Sequence, residues 1–414
     1  MNPSQIGKII NDPVNGFIRI KHPLVQAIID HPYFQRLRRI KQMGSADLVY
    51  PGATHSRFHH SLGAYHLMGI ALQELQFKGV EITKEEILQA SIAILLHDIG
   101  HGPFSHALEK TIIPKVSHEK ISIGLMHLLN DEFNGALDMA IAIFQEEYHE
   151  RPWIHALISS QLDMDRMDYL NRDSYYTGVS EGVIGYDRIL HMLTVVDDQL
   201  MVEEKGIQSV EKFLIARRMM YWQVYQHKTV LAAELLIQKI VQRVQELLQI
   251  GKQVTVLNPL AQFLHPDFNK IDLSENIPSD ILKAFCQLDD YDILGHIKVW
   301  VADEDEILSL LCERLLNREI YKISFEKKDF GHLESDSLSF HNNLITNKVD
   351  EKYFCFKGVT SNQLYHLESD AILFHSKNGE IKKLDEYDHS LIHSQSRLFL
   401  EKQYIAYFPK LERK

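Results

Sequence analysis

Cysteine is scarce in this 414-residue sequence: Cys286, Cys312 and Cys355 are odd in number and far apart. That excludes a disulfide framework and argues against a zinc site built on cysteine, so any metal is expected to be held by other groups. Long apolar runs are also lacking. No stretch reaches the roughly 18 residues of a membrane span, and the opening residues MNPSQIGKIINDPVNG do not follow the basic-then-apolar order of a secretory leader. Together these lead us to expect a cytoplasmic protein. Positive charge is in deficit, with 44 Lys and Arg against 56 Asp and Glu for a net charge of −12. Strong nucleic-acid binding is therefore not expected, although a local basic pocket for a small anion is compatible with this balance. We find no internal repeat and no low-complexity linker.

What is present is ordinary globular material, 45% hydrophobic and 24% charged, long enough for one large core or two domains. The segment KIINDPVNGFIRI predicts a short β-hairpin turning near Pro13 to Gly16. From Pro23 to about Leu248 nearly every segment carries helical periodicity. Thr83 and Glu86 form a capping box for an apolar helix through Leu96 that stops at Gly100, which puts His97 and Asp98 in its last turn. A second helix is predicted over ISSQLDMDRMDYLNRD, residues 158–173, and a third, long one over residues 210–249. After about Lys322 the texture changes to short β-type runs, KISF, YFCF, AILFHS and IAYF. The expected architecture is mostly α, with residues 1–322 as the main unit and 323–414 as a smaller mixed α+β lobe.

The 23 histidines are the one compositional oddity, and position decides which of them carry chemistry. LLHDIGHGPFSH, residues 95–106, holds three of them and an aspartate. Adjacent His97 and Asp98 point about 100° apart on a helix, so both reach one ion only where the helix ends and other elements complete the shell. His60, in HSRFHHSLG, and Asp165, in DMDRMDYLNRD, supply candidates for that completion. Two imidazoles and two carboxylates suit Mn, Fe, Zn or, less well, Mg, and leave positions open for water and a substrate oxygen.

NDPVNG, FQRLRRIKQMG, YPGATHSRFHHSLG, LLHDIGHGPFSH, DMDRMDYLNRD and YQHK stand in this order along the chain. In that order and wording they resemble the HD-domain phosphohydrolases, and more narrowly the deoxynucleoside triphosphate triphosphohydrolases among them. The resemblance extends over residues 8 to 325. It implies a helical HD-domain phosphohydrolase fold and hydrolysis of a deoxynucleoside triphosphate to deoxynucleoside and inorganic triphosphate. It implies one divalent metal on His60, His97, Asp98 and Asp165, with Mg a candidate on the triphosphate itself. Carried over by position, Arg57, Arg217 and Arg166 (where the family often has lysine) face phosphates, with His101 and His118 beside them. His106 matches the general acid that protonates the departing 5′-oxygen, and Glu109 the carboxylate that orients it. Tyr169 and Tyr225 match aromatics near sugar and base, Asp173 the acceptor of the 3′-hydroxyl, and Gln42 and Met43 the pair that crowds the sugar. His55, His59 and His66 read as structural or supporting residues.

The resemblance further implies an activating nucleotide at a subunit interface, with Asn11, Asp30, Gln35 and Arg38 at the matching positions, and assembly as a dimer or tetramer. An aspartate facing the N1 and N2 edge of guanine is sound hydrogen-bond logic. Two other functions stay open on the residues alone. One is an HD-superfamily hydrolase acting on a monophosphate, a cyclic nucleotide or guanosine tetraphosphate. The other is a nucleotide sensor without turnover.

Overall fold

Why the chain opens on a hairpin is legible at Asp12. In the computed structural model, which describes residues 7–325, 348–360, 371–387 and 402–408, Asp12 Oδ1 accepts the amide hydrogens of Val14 at 3.0 Å and Asn15 at 2.8 Å. Such a side-chain acceptor closes a turn, and Gly16 follows with φ +70°. Strands β1 (Lys8–Asp12) and β2 (Gly16–Ile20) pair antiparallel, Lys8 opposite Ile20 and Asp12 opposite Gly16. Ile18 and Ile20 enter the core while Phe17 faces out, the alternation expected of a half-buried strand.

The helices follow in order: α1 (Pro23–Asp30), α2 (Pro32–Gln35), α3 (Arg57–Phe77), α4 (Lys84–Leu96), α5 (Ser105–Ile112) and α6 (His118–Glu132). Next come α7 (Asp138–Phe144), α8 (Trp153–Ala156), α9 (Met164–Thr177), α10 (Tyr186–Met192), α11 (Ile207–Met220) and α12 (Lys228–Gln249). The fold is mostly α, as the periodicity implied. Helix α3 packs on both α4 and α9, and its buried residues lie all around it, among them Phe58, Leu62, Leu67 and Leu72. A helix buried on every side is the centre of its domain. Gly63 makes the α3–α9 approach possible, since a Cβ there would stand 1.9 Å from Asp168 Oδ1.

Several sequence expectations are corrected. The capping box of Thr83 and Glu86 forms, but α4 ends at Leu96, so His97 and Asp98 lie just beyond it. The helix expected from residue 158 starts at Met164, because Asp163 caps it by accepting from Arg166 N at 2.7 Å and also takes Ser160 N at 2.9 Å. The single helix expected over 210–249 is broken: α11 runs into a π-helical turn, Tyr221–Tyr225, and α12 starts anew with His227 as its cap. An inserted π turn is a common device for re-aiming side chains at functional sites, and here it brings Tyr225 to Asp173. A hairpin also lies inside the region read as helical, β3 (Leu193–Val196) with β4 (Gln199–Glu203). Its two turn residues, Asp197 and Asp198, take φ of 48° and 56°, the left-handed pair that a tight hairpin turn requires.

After Leu316 the described residues hold short strands, as expected from the change in texture. Strands β5 (Lys322–Ser324), β6 (Cys355–Thr360) and β9 (Lys402–Tyr407) form a sheet in the order β5-β9-β6. Strands β7 (Leu373–His375) and β8 (Ile381–Lys383) extend the earlier hairpin in the order β3-β4-β7-β8, with β7 parallel to β4. Residues 326–347, 361–370, 388–401 and 409–414 of the segment expected as the second lobe lie outside the described residues. The three cysteines are free, and among the described residues no helix is long and apolar enough to cross a membrane.

Candidate active site

Three elements converge on one point. Helix α3 carries Arg57 and His60 in its first turn, the turn after α4 carries His97 and Asp98, and the first turn of α9 carries Asp165. His60 Nε2 lies 3.3 Å from His97 Nε2 and 2.9 Å from Asp165 Oδ1, which is itself 3.4 Å from His97 Nε2. The Asp98 carboxylate approaches from the remaining side, 3.5 Å from His97 Nε2 and 3.8 Å from His60 Nε2. The ligand atoms of His60, His97 and Asp165 all lie within 4.8 Å of one another, and Asp98 borders this group of three.

The outward nitrogen of each ring decides whether this group fits a metal. His60 Nδ1 meets Asp168 Oδ2 at 2.9 Å and His97 Nδ1 meets the carbonyl of Ile94 at 2.6 Å. Both acceptors demand a hydrogen on Nδ1, so that both Nε2 atoms face the centre, the arrangement of metal-ligating histidines. Burial opposes charge on His60, but hydrogen bonds to Asp165 and Asp168 override it and push its pKa up to about 10. The site therefore attracts positive charge strongly, and a divalent cation entering it displaces a proton.

Beside the cluster stands a tier of cationic and imidazole groups. Arg57 donates from Nη1 to Asp98 Oδ2 at 2.5 Å, and its buried Nε has no partner among the described residues. His101 Nε2 lies 3.1 Å from Asp98 Oδ1, and its ring stacks on His118 with centroids 3.9 Å apart. Burial and the neighbouring Arg57 charge hold the His101 pKa well below the ordinary value, so that ring is neutral. On His118 burial again opposes charge, but the hydrogen bond to Glu109 raises the pKa. Glu109, expected beside His106, has its carboxylate on His118, accepting from Nδ1 at 2.7 Å and from the backbone amide at 2.9 Å. Those bonds pull the Glu109 pKa down to about 2. The backbone of His106 lies in α5, and its side chain is outside what the structure describes.

The other side of the cluster is aromatic and acidic. Tyr169 and Tyr225 meet edge to face at 6.2 Å. Asp173 is fully engaged, taking Tyr225 Oη at 2.7 Å on one oxygen and His55 Nε2 at 2.8 Å on the other. Arg166 points back along its own loop, donating from Nε to the carbonyl of Ser160 at 2.6 Å and pairing with Asp163 at 3.1 Å. Arg217 is buried and donates to Gln161 Oε1 at 2.8 Å. Gln42 and Met43 are half-buried and buried; the amide of Gln42 bonds the carbonyl of His55, and its Oε1 has no partner among the described residues.

The residues matched to an activator site lie apart, on the face formed by the hairpin and α1–α2. Asp30 pairs with Lys8 at 2.9 Å, and Gln35 Oε1 accepts from Arg38 Nε at 2.8 Å. Arg38 also stacks on the Phe58 ring at 3.6 Å, while Asn11 sits exposed on β1.

Sequence reasoning missed several supporting residues. Asp168, which fixes His60, stands one helical turn after Asp165 and four residues before Arg172, an i,i+4 charge pair that was a usable signal. Arg36 gave none: its guanidinium is completely buried and donates to the carbonyls of Ile99, His101 and Leu288, which pins the loop carrying His101. Glu234 on α12 lies near Gly44, two residues beyond Gln42, and desolvation pushes its carboxyl pKa from 4.5 up to about 7. A raised carboxyl pKa means that stability is highest below the unfolded value and is lost as pH rises through the folded one. Glu234→Gln is therefore expected to flatten the loss of stability between pH 4.5 and 7 and to be the more stable protein at pH 8. The gain has an upper bound of about 3 kcal/mol from the size of the shift. Denaturant titrations of both proteins across that range check it, and parallel curves would refute it.

The chain is similar to several known proteins. Residues 57–173 match the HD domain and residues 184–256 the HD associated region. The crystal structure of a phosphohydrolase from Bacteroides thetaiotaomicron is similar at 44% identity and a TM-score of 0.89, covering 97% of this chain and 99% of that one. The chain belongs to the HD-domain family of phosphohydrolases. Within it, it is 34% identical over 394 residues to the uncharacterized protein YwfO of Bacillus subtilis (strain 168), covering 91% of this chain and 87% of that protein. It is also 33% identical over 265 residues to the deoxynucleoside triphosphate triphosphohydrolase SAMHD1 homolog of Dictyostelium discoideum. That match covers 60% of this chain and only 51% of the relative, so the chain spans about half the length of that protein.

Proposed function

We propose that the chain hydrolyses deoxynucleoside triphosphates to deoxynucleoside and inorganic triphosphate, with residues 1–322 as the catalytic unit and 323–414 as a smaller lobe. The observation that carries this reading is the grouping of four ligand-type side chains between a cationic tier, Arg57 and His118, and a hydroxyl- and carboxylate-bearing face, Tyr169, Tyr225 and Asp173. A triphosphate needs the first and a sugar the second. A divalent cation on His60, His97, Asp98 and Asp165 would supply charge neutralisation at phosphorus and lower the pKa of water; the donor set suits Mn, Fe, Mg or Zn.

The chain's own residues do the rest. Arg57, Arg217, Arg166 and His118 spread positive charge over the phosphates, with His101 beside them. Water adds to the α-phosphorus, the bond from phosphorus to the 5′-oxygen breaks, and His106 delivers the proton that the leaving oxygen needs. Asp173 accepts the sugar 3′-hydroxyl, with His55 and Tyr225 holding the carboxylate in place, and Gln42 and Met43 close on the sugar. Asn11, Asp30, Gln35 and Arg38 are the matching candidates for an activating nucleotide, in an assembly of two or four chains.

The test is incubation of metal-reconstituted protein with each deoxynucleoside triphosphate, singly and in pairs, and separation of the products by anion-exchange chromatography. Inorganic triphosphate and nucleoside are expected, and turnover only in mixtures would indicate a separate activator site. Release of orthophosphate or pyrophosphate, or no cleavage in any combination, would overturn the reading in favour of another HD-type hydrolase or a sensor.

A further inference from the structure

A row of buried side chains runs without a break from the tip of the N-terminal hairpin to the candidate ligand His60. At its outer end Asp12, the last residue of β1, shapes the turn through Oδ1 and accepts Arg172 Nη1 at 2.8 Å on Oδ2. Arg172 Nη2 also reaches Asp12 Oδ1, at 3.2 Å. The other edge of the same guanidinium grips Asp168, Nε to Oδ2 at 2.8 Å and Nη2 to Oδ1 at 3.0 Å. Asp168 Oδ2 then takes His60 Nδ1 at 2.9 Å. Asn15, in the hairpin turn, donates to Asp168 Oδ1 at 3.0 Å. Arg172 and His60 are fully buried, and Asp12 and Asp168 nearly so.

The geometry of a guanidinium gives this row its stiffness. Its five donors are fixed in one plane, so a carboxylate bound along one edge is oriented relative to a carboxylate bound along the other. Asp168 alone could rotate about its own χ2. Held by two donors of Arg172, it presents Oδ2 to His60 in one direction, and that direction sets the plane of the imidazole. Arg172 is in turn seated by Asp12, whose position depends on the hairpin being docked. Gly63 belongs to the same arrangement, because any side chain there would strike both Asp168 and Arg172.

We propose that Asp12 is a positioning residue for the metal site: docking of the hairpin orients His60 through Arg172 and Asp168 and so governs how tightly a divalent cation is held. The inference rests on the reading of His60 as a metal ligand. Coupling of this kind is reciprocal, so a bound cation also tightens the hairpin against α9. The hairpin's exposed strand carries Lys8, paired with Asp30, and Asn11 stands next to Asp12. Whatever occupies that outer face therefore acts on the metal site through Asp12 and its turn neighbour Asn15.

Asp12→Asn is the informative substitution. It keeps an oxygen for the amides of Val14 and Asn15, so the turn survives, but it removes the charge from one edge of Arg172. Calorimetric titration with Mn2+ is expected to show affinity reduced by about 10- to 100-fold, the usual effect of disturbing a support of a metal ligand, with the circular dichroism and oligomeric state of the native protein. In the native protein, Mn2+ is expected to slow amide hydrogen exchange across residues 8–20, and this measurement needs no variant. An Asp12→Asn protein with a lowered thermal midpoint but Mn2+ affinity within twofold of native would make Asp12 a structural anchor only and overturn the proposal. Native exchange over 8–20 indifferent to Mn2+ would overturn it equally. If the native protein binds no Mn2+ and matches Asp165→Ala in the titration, the metal-site reading fails, and this inference with it.

Discussion

Asp165→Ala is expected to lower turnover by about 1,000-fold and to leave a protein that loses its divalent cation on dialysis while keeping its fold. Among the four candidate ligands Asp165 is the right one to remove, because its side chain is 29% exposed whereas those of His60, His97 and Asp98 are at most 10% exposed. Truncation there costs the least packing. It nevertheless removes the oxygen that lies within 3.4 Å of both Nε2 atoms, and so the hinge of the cluster. A cation polarising phosphoryl oxygens supplies several kcal/mol to the transition state, and each 1.36 kcal/mol is tenfold in rate. Metal content after dialysis, steady-state turnover and the thermal midpoint of the dialysed proteins check the prediction together. Turnover within tenfold of native would remove Asp165 from the chemistry.

Arg172→Ala is expected to be the most damaging single change to folding, by about 3–5 kcal/mol, the usual cost of stripping one partner from a buried ion pair. The reason is the charge left behind. Asp12 and Asp168 are both almost fully buried and both bind this one guanidinium, so its loss leaves two carboxylates with only imidazole rings near them among the described residues. Addition of Asp12→Asn in the same chain removes one of those charges and is expected to recover part of the loss. Denaturant unfolding of the single and double variants measures both. A single variant within 1 kcal/mol of native would mean that water enters the row and that its burial does not hold in solution.

The parts of the site that were legible in the sequence are those in which chemistry-bearing residues crowd together. His97 and Asp98 are neighbours and Asp165 lies in a segment dense with acids; of the four residues read as ligands, His60, His97 and Asp165 form the close group, with Asp98 Oδ1 3.5 Å from His97 Nε2. Partners distant in sequence were not legible. His55 and Asp173 are 118 residues apart, and Arg217 and Gln161 are 56 apart; nothing in a glutamine or a structural-looking histidine announces such a bond. Glu109 illustrates a different limit, since the family resemblance paired it with His106 while its carboxylate bonds His118 on the next helix. For the fold, periodicity recovered the helices but not their interruptions. The π turn at Tyr221–Tyr225 lies between two helices, where contact of Tyr225 with Asp173 breaks the helical register. At Leu193–Glu203 the β-branched Thr194, Val195 and Val196 favour strand, and Asp197 and Asp198 supply the left-handed turn.

The sheet order β3-β4-β7-β8 bears on how the chain is made. Val202 and Glu203, on β4, find their outer partners in Phe374 and His375, far along the chain. During synthesis the helical part therefore leaves the ribosome with an open strand edge, the kind of surface on which unfinished chains adhere to one another. Only when β7 arrives is that edge sealed. Strand β7 thus acts as a closing stitch on a hairpin made long before it.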